Sequence, residues 1–252
     1  GCHVLIEKPL ALDLDGVAEL SEAVADAGLT AGVAYVRRAM PVSQLARQAI
    51  ADRRIGRILD ATYTVGYDHR VARPDYRNTY EVRRDMGGGA FQDAFSHLAN
   101  LMQWLLGPVR EVRAVSEHLV VEGMDAEDTV SVLLRFRDHP AIASVHCAMW
   151  HAARTDRLVL NSEAAQVLAD GAAGKVGVLR RDAAEWEWRE VQIGPRDEKG
   201  QVDAPFLAEA ENFLNAVEGR EPVLCPLEEA AHTVQICTAA AESARTGRAV
   251  AI

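Results

Sequence analysis

After one strand–helix–strand unit at its start, this chain runs through strand after strand with almost no helix between them. That change of period limits the fold more than any other feature of the sequence. Residues 4–6 form a short apolar run of the parallel-strand type. Asp13 or Asp15 can cap a helix that reaches Ala27, with Val17, Leu20, Val24 and Ala27 at helical spacing. Gly28 ends that helix, and residues 29–36 read as a second strand. The three elements make one βαβ unit, the building block of a doubly wound sheet. A helix over residues 41–52 follows. From Ile58 the period becomes that of strands, over residues 58–67, 109–121, 129–136, 141–150 and 158–160. Residues 166–169, 176–179 and 185–193 read the same way. Successive short strands without crossover helices predict a mostly antiparallel sheet. Helices over residues 205–217 and 227–244 close the chain.

One helix is inserted after the first of those strands, and it carries the chemistry. Gly87, Gly88 and Gly89 break the preceding structure, and residues 90–106 then read as a helix stopped by Gly107-Pro108. At about 100° per residue, Asp93, His97, Asn100 and Trp104 share one stripe. Phe91, Phe95, Leu98, Leu101, Met102 and Leu105 form the opposite, burying side. An isolated D-x-x-x-H is more often a solvated polar face than a site. The glycine run in front of it and the tryptophan behind it favour a site.

Bulk properties remove several classes of function. The 252 residues carry a net charge of −10, and no basic stripe suited to nucleic acid is present. No apolar run approaches the roughly 20 residues that span a bilayer. The 4 cysteines are far apart without a C-x-x-C, so neither zinc nor a disulfide framework is indicated, and reduced thiols in the cytoplasm are the expectation. The histidines form no ligand spacing, and no metal is expected. Residues 68–85 carry Arg70, Arg73, Arg77, Arg83 and Arg84, balanced by Asp68, Asp75, Glu81 and Asp85. With Tyr76 and Tyr80 this segment reads as a loop over a pocket. Trp186 and Trp188 share a strand face, where burial is the first reading and an oligomer interface the second.

Four separate places carry a resemblance. They are Glu7-Lys8-Pro9 at the end of one strand, Tyr35-Val36-Arg37-Arg38 at the end of the next, the glycines leading to Asp93 and His97, and a closing run. The closing run comprises Phe213-Leu214, Gly219-Arg220-Glu221-Pro222 and Ser243-Ala244-Arg245-Thr246-Gly247-Arg248. In this order the set resembles the glucose–fructose oxidoreductase / inositol dehydrogenase / rhizopine catabolism (Gfo/Idh/MocA) family over nearly the whole chain. Val36, Ala39 and Asn100 depart from the family's commoner residues, which blurs the substrate rather than the fold.

The resemblance implies residues 1–38 as the C-terminal part of a Rossmann dinucleotide-binding domain. Residues 39–252 are then a substrate-binding and oligomerisation α/β domain with an open, mostly antiparallel sheet. No G-x-G-x-x-G occurs, and the chain opens directly in a strand without Met. The expectation is therefore that the first part of the Rossmann domain lies outside these residues, and that this chain alone neither binds dinucleotide nor turns over.

The implied activity is hydride transfer between NAD or NADP and a sugar or polyol hydroxyl. The alternatives are an NAD-dependent glycosidase of the same fold, or a non-catalytic sugar-binding relative. His97 is expected as principal acid/base, already near the useful pKa range, with Lys8 as its hydrogen-bonding partner and Asp93 as substrate anchor. Glu7, Lys8, Pro9 and Arg38 are expected beside the cofactor, and Asp93, His97, Asn100 and Tyr76 beside the substrate. For Asn100 a helix-surface role is as good a reading as a ligand contact. A homo-oligomer formed through the open sheet is the expected assembly.

Overall fold

The computed structural model describes residues 1–192 and 203–252. Strand β1 (Val4–Glu7), helix α1 (Val17–Asp26) and strand β2 (Ala31–Ala34) form the βαβ unit, with β1 and β2 parallel. Neither Asp13 nor Asp15 caps α1: Gly16 holds the N-cap position at φ 73°, and Asp13 Oδ1 instead accepts from the Asp15 amide. Strand β2 is buried on both faces, because residues 223–227 cover the side that α1 leaves open. The Val33 amide donates to the Cys225 carbonyl at 3.0 Å. A tight 3₁₀ turn, Val36–Arg38, leads to helix α2 (Pro41–Ala51), whose proline stands in the first turn where its missing N–H costs nothing.

Strand β3 (Ile58–Asp68) begins the large sheet and is followed by the single turn α3 (His69–Ala72). Three 3₁₀ turns then lead to the glycines and to helix α4 (Ser96–Leu106). Strands β4 (Val109–Glu117), β5 (Thr129–Phe136), β6 (Ile142–Ala148), β7 (Trp150–Ser162), β8 (Ala165–Asp170), β9 (Lys175–Arg180) and β10 (Glu187–Glu190) follow. Helices α5 (Asp203–Val217) and α6 (Leu227–Thr246) and strand β11 (Val250–Ala251) complete the chain.

The sheet order is β10-β9-β8-β7-β3-β6-β5-β4-β11, antiparallel throughout except where β3 lies parallel to β6. That exception follows from insertion: β3 occupies the place between β6 and β7, which would otherwise pair as a hairpin. Strand β7 is a single 13-residue strand where only residues 158–160 and the end of 141–150 are expected. The short edge strand β11 has no counterpart in the sequence reading, and the expected strand 185–193 runs partly outside the described residues.

Strands β4, β5 and β6 alternate buried and exposed residues, so the sheet has one dry face and one open face. Helices α2, α4 and α6 cover the dry face, over Val112, Val132, Leu134, Val145 and Leu160. The open face leaves Leu59, Val115, Leu133 and Ile142 between 45% and 66% exposed. Trp188 is also exposed, stacked on Trp186 with ring centroids 5.3 Å apart, so the burial expected for this pair does not occur.

Helix α4 differs from its expected polar-front pattern. Residues 90–95 wind as a π-helical turn before the α-helix begins, and the wider turn shifts the phase of everything after it. Asp93 pairs with Lys8, whose charge also reaches His97. Asn100 lies in the interior because α4 is buried on nearly every side.

Candidate active site

The site forms where the carboxyl end of β1 meets the first turns of the glycine-led helix. Lys8 follows β1, and its peptide bond to Pro9 is cis. The Lys8 ammonium donates to Asp93 Oδ1 at 2.6 Å and to the Asp93 carbonyl at 3.2 Å. Both side chains are little exposed, at 14% and 12%. The Tyr80 hydroxyl lies 3.3 Å from the same Oδ1.

The glycines make this approach possible. At Gly88 a Cβ would fall 2.4 Å from the Tyr80 carbonyl oxygen and 2.5 Å from that of Glu81. At Gly89, with φ 94°, it would meet Ala126 and Glu127 at 2.7 Å. The helix start is then satisfied by a residue that spacing alone does not reveal. Glu127, buried in the β4–β5 connection, accepts from the Phe91 amide at 3.0 Å through its carboxylate and from the Ala90 amide at 2.8 Å through its carbonyl.

His97 packs against the edge of the Tyr35 ring, centroid to centroid 5.8 Å at 89°. Its Nδ1 is buried without a hydrogen-bond partner. Burial, with the Lys8 and Arg37 charges behind it, holds its pKa well below the usual imidazole range. The ring is therefore a neutral proton acceptor throughout neutral pH rather than a group poised near its midpoint. Arg37 is fixed beside it. Its Nη1 donates to the Tyr63 hydroxyl at 2.7 Å and to Asp156 Oδ2 at 2.8 Å, while the Tyr63 hydroxyl donates to Asp156 Oδ1 at 3.0 Å. Tyr67, at the end of β3, has its phenol pushed up by burial first and by the Asp93 charge second.

Three expected site residues lie elsewhere. Arg38 is wholly buried. Its guanidinium donates to Asn100 Oδ1 at 2.6 Å, to the Leu224 carbonyl at 2.9 Å and to Glu229, so it ties the end of β2 to α4 and α6 rather than facing a cofactor. Asn100 is the other half of that network. Its amide nitrogen donates to Thr233 Oγ1 at 2.9 Å, which leaves neither a surface nor a ligand role. Tyr76 is 3% exposed and donates its hydroxyl to the Glu122 carbonyl at 2.9 Å, so it packs the loop from within. The loop arginines also meet local acids: Arg70 pairs with Asp68, Arg73 with Glu81, Arg83 with Asp85 and Arg84 with Glu127. Glu7 remains exposed at the end of β1, next to Lys8 and Pro9.

A parallel βαβ edge is set against a one-faced mixed sheet, with a lysine, an aspartate and a histidine where they meet. The sequence profile of the GFO/IDH/MocA C-terminal domain matches residues 43–167. A 1,5-anhydro-D-fructose reductase of Ensifer adhaerens is 32% identical over 150 residues, which are 59% of this chain and 44% of that protein. The chain thus matches less than half the length of that relative. A D-xylose 1-dehydrogenase (NADP(+)) of Haloferax volcanii is 25% identical over 99% of this chain and 73% of its own length. Among solved structures, a levoglucosan dehydrogenase in complex with NADH and levoglucosan superposes with a TM-score of 0.84 at 23% identity, over 99% of this chain and 73% of the other, which is a likeness of fold. Residues 43–167 thus match the Gfo/Idh/MocA family through its C-terminal domain.

Proposed function

We propose that this chain carries the acid/base and substrate half of an oxidoreductase that moves a hydride between NAD or NADP and a hydroxyl-bearing carbon of a sugar or polyol. The observation that carries this reading is the Lys8–Asp93 ion pair beside a neutral His97, brought together from the end of a parallel strand and from a glycine-led helix. The names of the reductase and dehydrogenase relatives point the same way.

The residues at the carboxyl end of β1 suit the nicotinamide end of a dinucleotide, since ligands of open parallel sheets bind there, and the orphaned His97 Nδ1 marks a polar gap close by. Glu7, Lys8 and Pro9 would border it. A bound nicotinamide would supply the hydride acceptor or donor. His97 takes the hydroxyl proton as the carbinol becomes a carbonyl, because its ring is neutral at working pH. Lys8 stabilises the oxygen as negative charge develops on it, and Asp93 orients Lys8 and accepts from a second substrate hydroxyl. Residues 1–38 serve the cofactor and residues 39–252 the substrate.

The half-exposed apolar residues on the open sheet face support a homo-oligomer formed through that face. No helix among the described residues is long and apolar enough to cross a membrane, and four free cysteines support a cytoplasmic setting.

The test is absorbance at 340 nm with the natural gene product that contains this chain, NAD or NADP, and a panel of sugars and polyols. Reduced dinucleotide accumulating in proportion to oxidised sugar is the expected result. Glycoside cleavage with no net change in dinucleotide would overturn it in favour of transient oxidation.

A further inference from the structure

Tyr80 stands at this junction without a part in the chemistry proposed above. It lies on the 3₁₀ turn Tyr80–Val82 and is 39% exposed, although its hydroxyl stands beside a carboxylate that is nearly buried. Its ring has no aromatic contact among the described residues. An exposed ring gains little from packing, so its position needs another reason.

That position is held firmly. The bare α-carbon of Gly88 lets the Tyr80 and Glu81 carbonyls close onto the glycine run. The Gly89 amide donates to the Glu81 carbonyl at 2.9 Å, and the Asp125 amide donates to the Val82 carbonyl at 3.0 Å. Glu81 itself is 3% exposed, anchored by Thr79 and Arg73. The turn therefore presents the Tyr80 ring outwards from a backbone tied down on both sides.

Resting on the function proposed above, we infer that Tyr80 is a specificity-determining residue that selects ring-form sugars over open-chain polyols. Its hydroxyl and the Lys8 ammonium both donate to Asp93 Oδ1, which leaves Oδ2 without a hydrogen bond among the described residues and free to accept from a substrate hydroxyl. Its half-exposed ring stands beside the same carboxylate. A pyranose in a chair carries C–H groups on one face and hydroxyls around its rim, so it rests on the ring while a rim hydroxyl reaches Asp93. An open-chain polyol has no such face and must lose rotational freedom to imitate one.

The experiment compares steady-state KM and kcat of the natural gene product, Tyr80→Phe and Tyr80→Leu on D-xylose and on xylitol, with the same dinucleotide. Tyr80→Leu is expected to raise the KM for D-xylose about tenfold and the KM for xylitol less than about twofold. Tyr80→Phe keeps the flat face and is expected to hold the D-xylose KM within about threefold of the parent. Equal changes on both substrates, or no change on either, overturn the inference while the proposed function stands. A parent enzyme that turns over neither sugars nor polyols overturns both.

Discussion

Lys8 Nζ lies 2.6 Å from Asp93 Oδ1, although 85 positions separate the two residues in the chain. Neither side chain is solvated enough to be indifferent to losing the other. Lys8→Met is expected to lower kcat by a factor on the order of 10² to 10⁴, with a smaller change in KM. Asp93→Asn is expected to raise KM as well, because it disorders Lys8 and weakens a substrate acceptor. Initial-rate kinetics separate the two effects.

After burial, the charge on Lys8 bears most on the state of His97. Removing it takes away one of the two cations that hold the imidazole down, so in Lys8→Met the His97 pKa is expected to climb towards the ordinary value. Titration of the ring by NMR reads this directly. A histidine with a folded pKa below its unfolded value binds its proton more readily when unfolded. It therefore costs stability as pH falls below about 6.5. His97→Asn is expected to flatten the acid side of the Tm–pH curve in part, because burial also pushes His69, His139 and His146 down.

Glu209, buried on α5, behaves in the opposite sense. Burial, and then the nearby Glu7 charge, push its carboxyl up to about 7. The unfolded chain ionises first as pH rises, so stability falls from about pH 4.5 and levels off above about pH 7. Glu209→Gln removes the buried charge. It is expected to stabilise the protein by about 2–3 kcal/mol at pH 8 and little at pH 4.5, as read from urea midpoints at the two pH values.

Arg38→Met tests the buried network behind the site. The substitution leaves Asn100 Oδ1 and the Leu224 carbonyl without their donor. A loss of about 3–5 kcal/mol in equilibrium unfolding is expected. If Arg38 faced a cofactor instead, the variant would keep its stability and lose dinucleotide affinity.

Gly88→Ala addresses the glycine run. The added methyl would meet backbone oxygens, which have no rotamer to escape into, so a cost of about 1–3 kcal/mol is expected. The same shift moves Tyr80 away from Asp93, so sugar KM is expected to rise even where the variant remains folded. Melting curves and KM together check both parts.

Periodicity by itself determined the order of elements, one βαβ unit followed by a one-faced sheet, because alternation and helical spacing are local patterns that survive in most folds. Helical spacing also put Asp93 and His97 on one stripe behind the three glycines, whereas Lys8 came in only with the family resemblance carried by Glu7-Lys8-Pro9. Only the tertiary structure decided what Asn100 and Arg38 do. The expected stripe assumed a wet front to this helix, whereas α6 and the end of β2 cover that side, so Asn100 packs against Arg38 and Thr233. Arg38 follows for a related reason. A guanidinium at a strand end reads the same in sequence whether it meets a ligand or a buried amide, and the packing of α4 and α6 against β2 made it the second. The parallel pairing of β3 with β6, the capping of the glycine-led helix by Glu127 and the tying of Arg37 to Asp156 are contacts between distant segments. No local spacing encodes them.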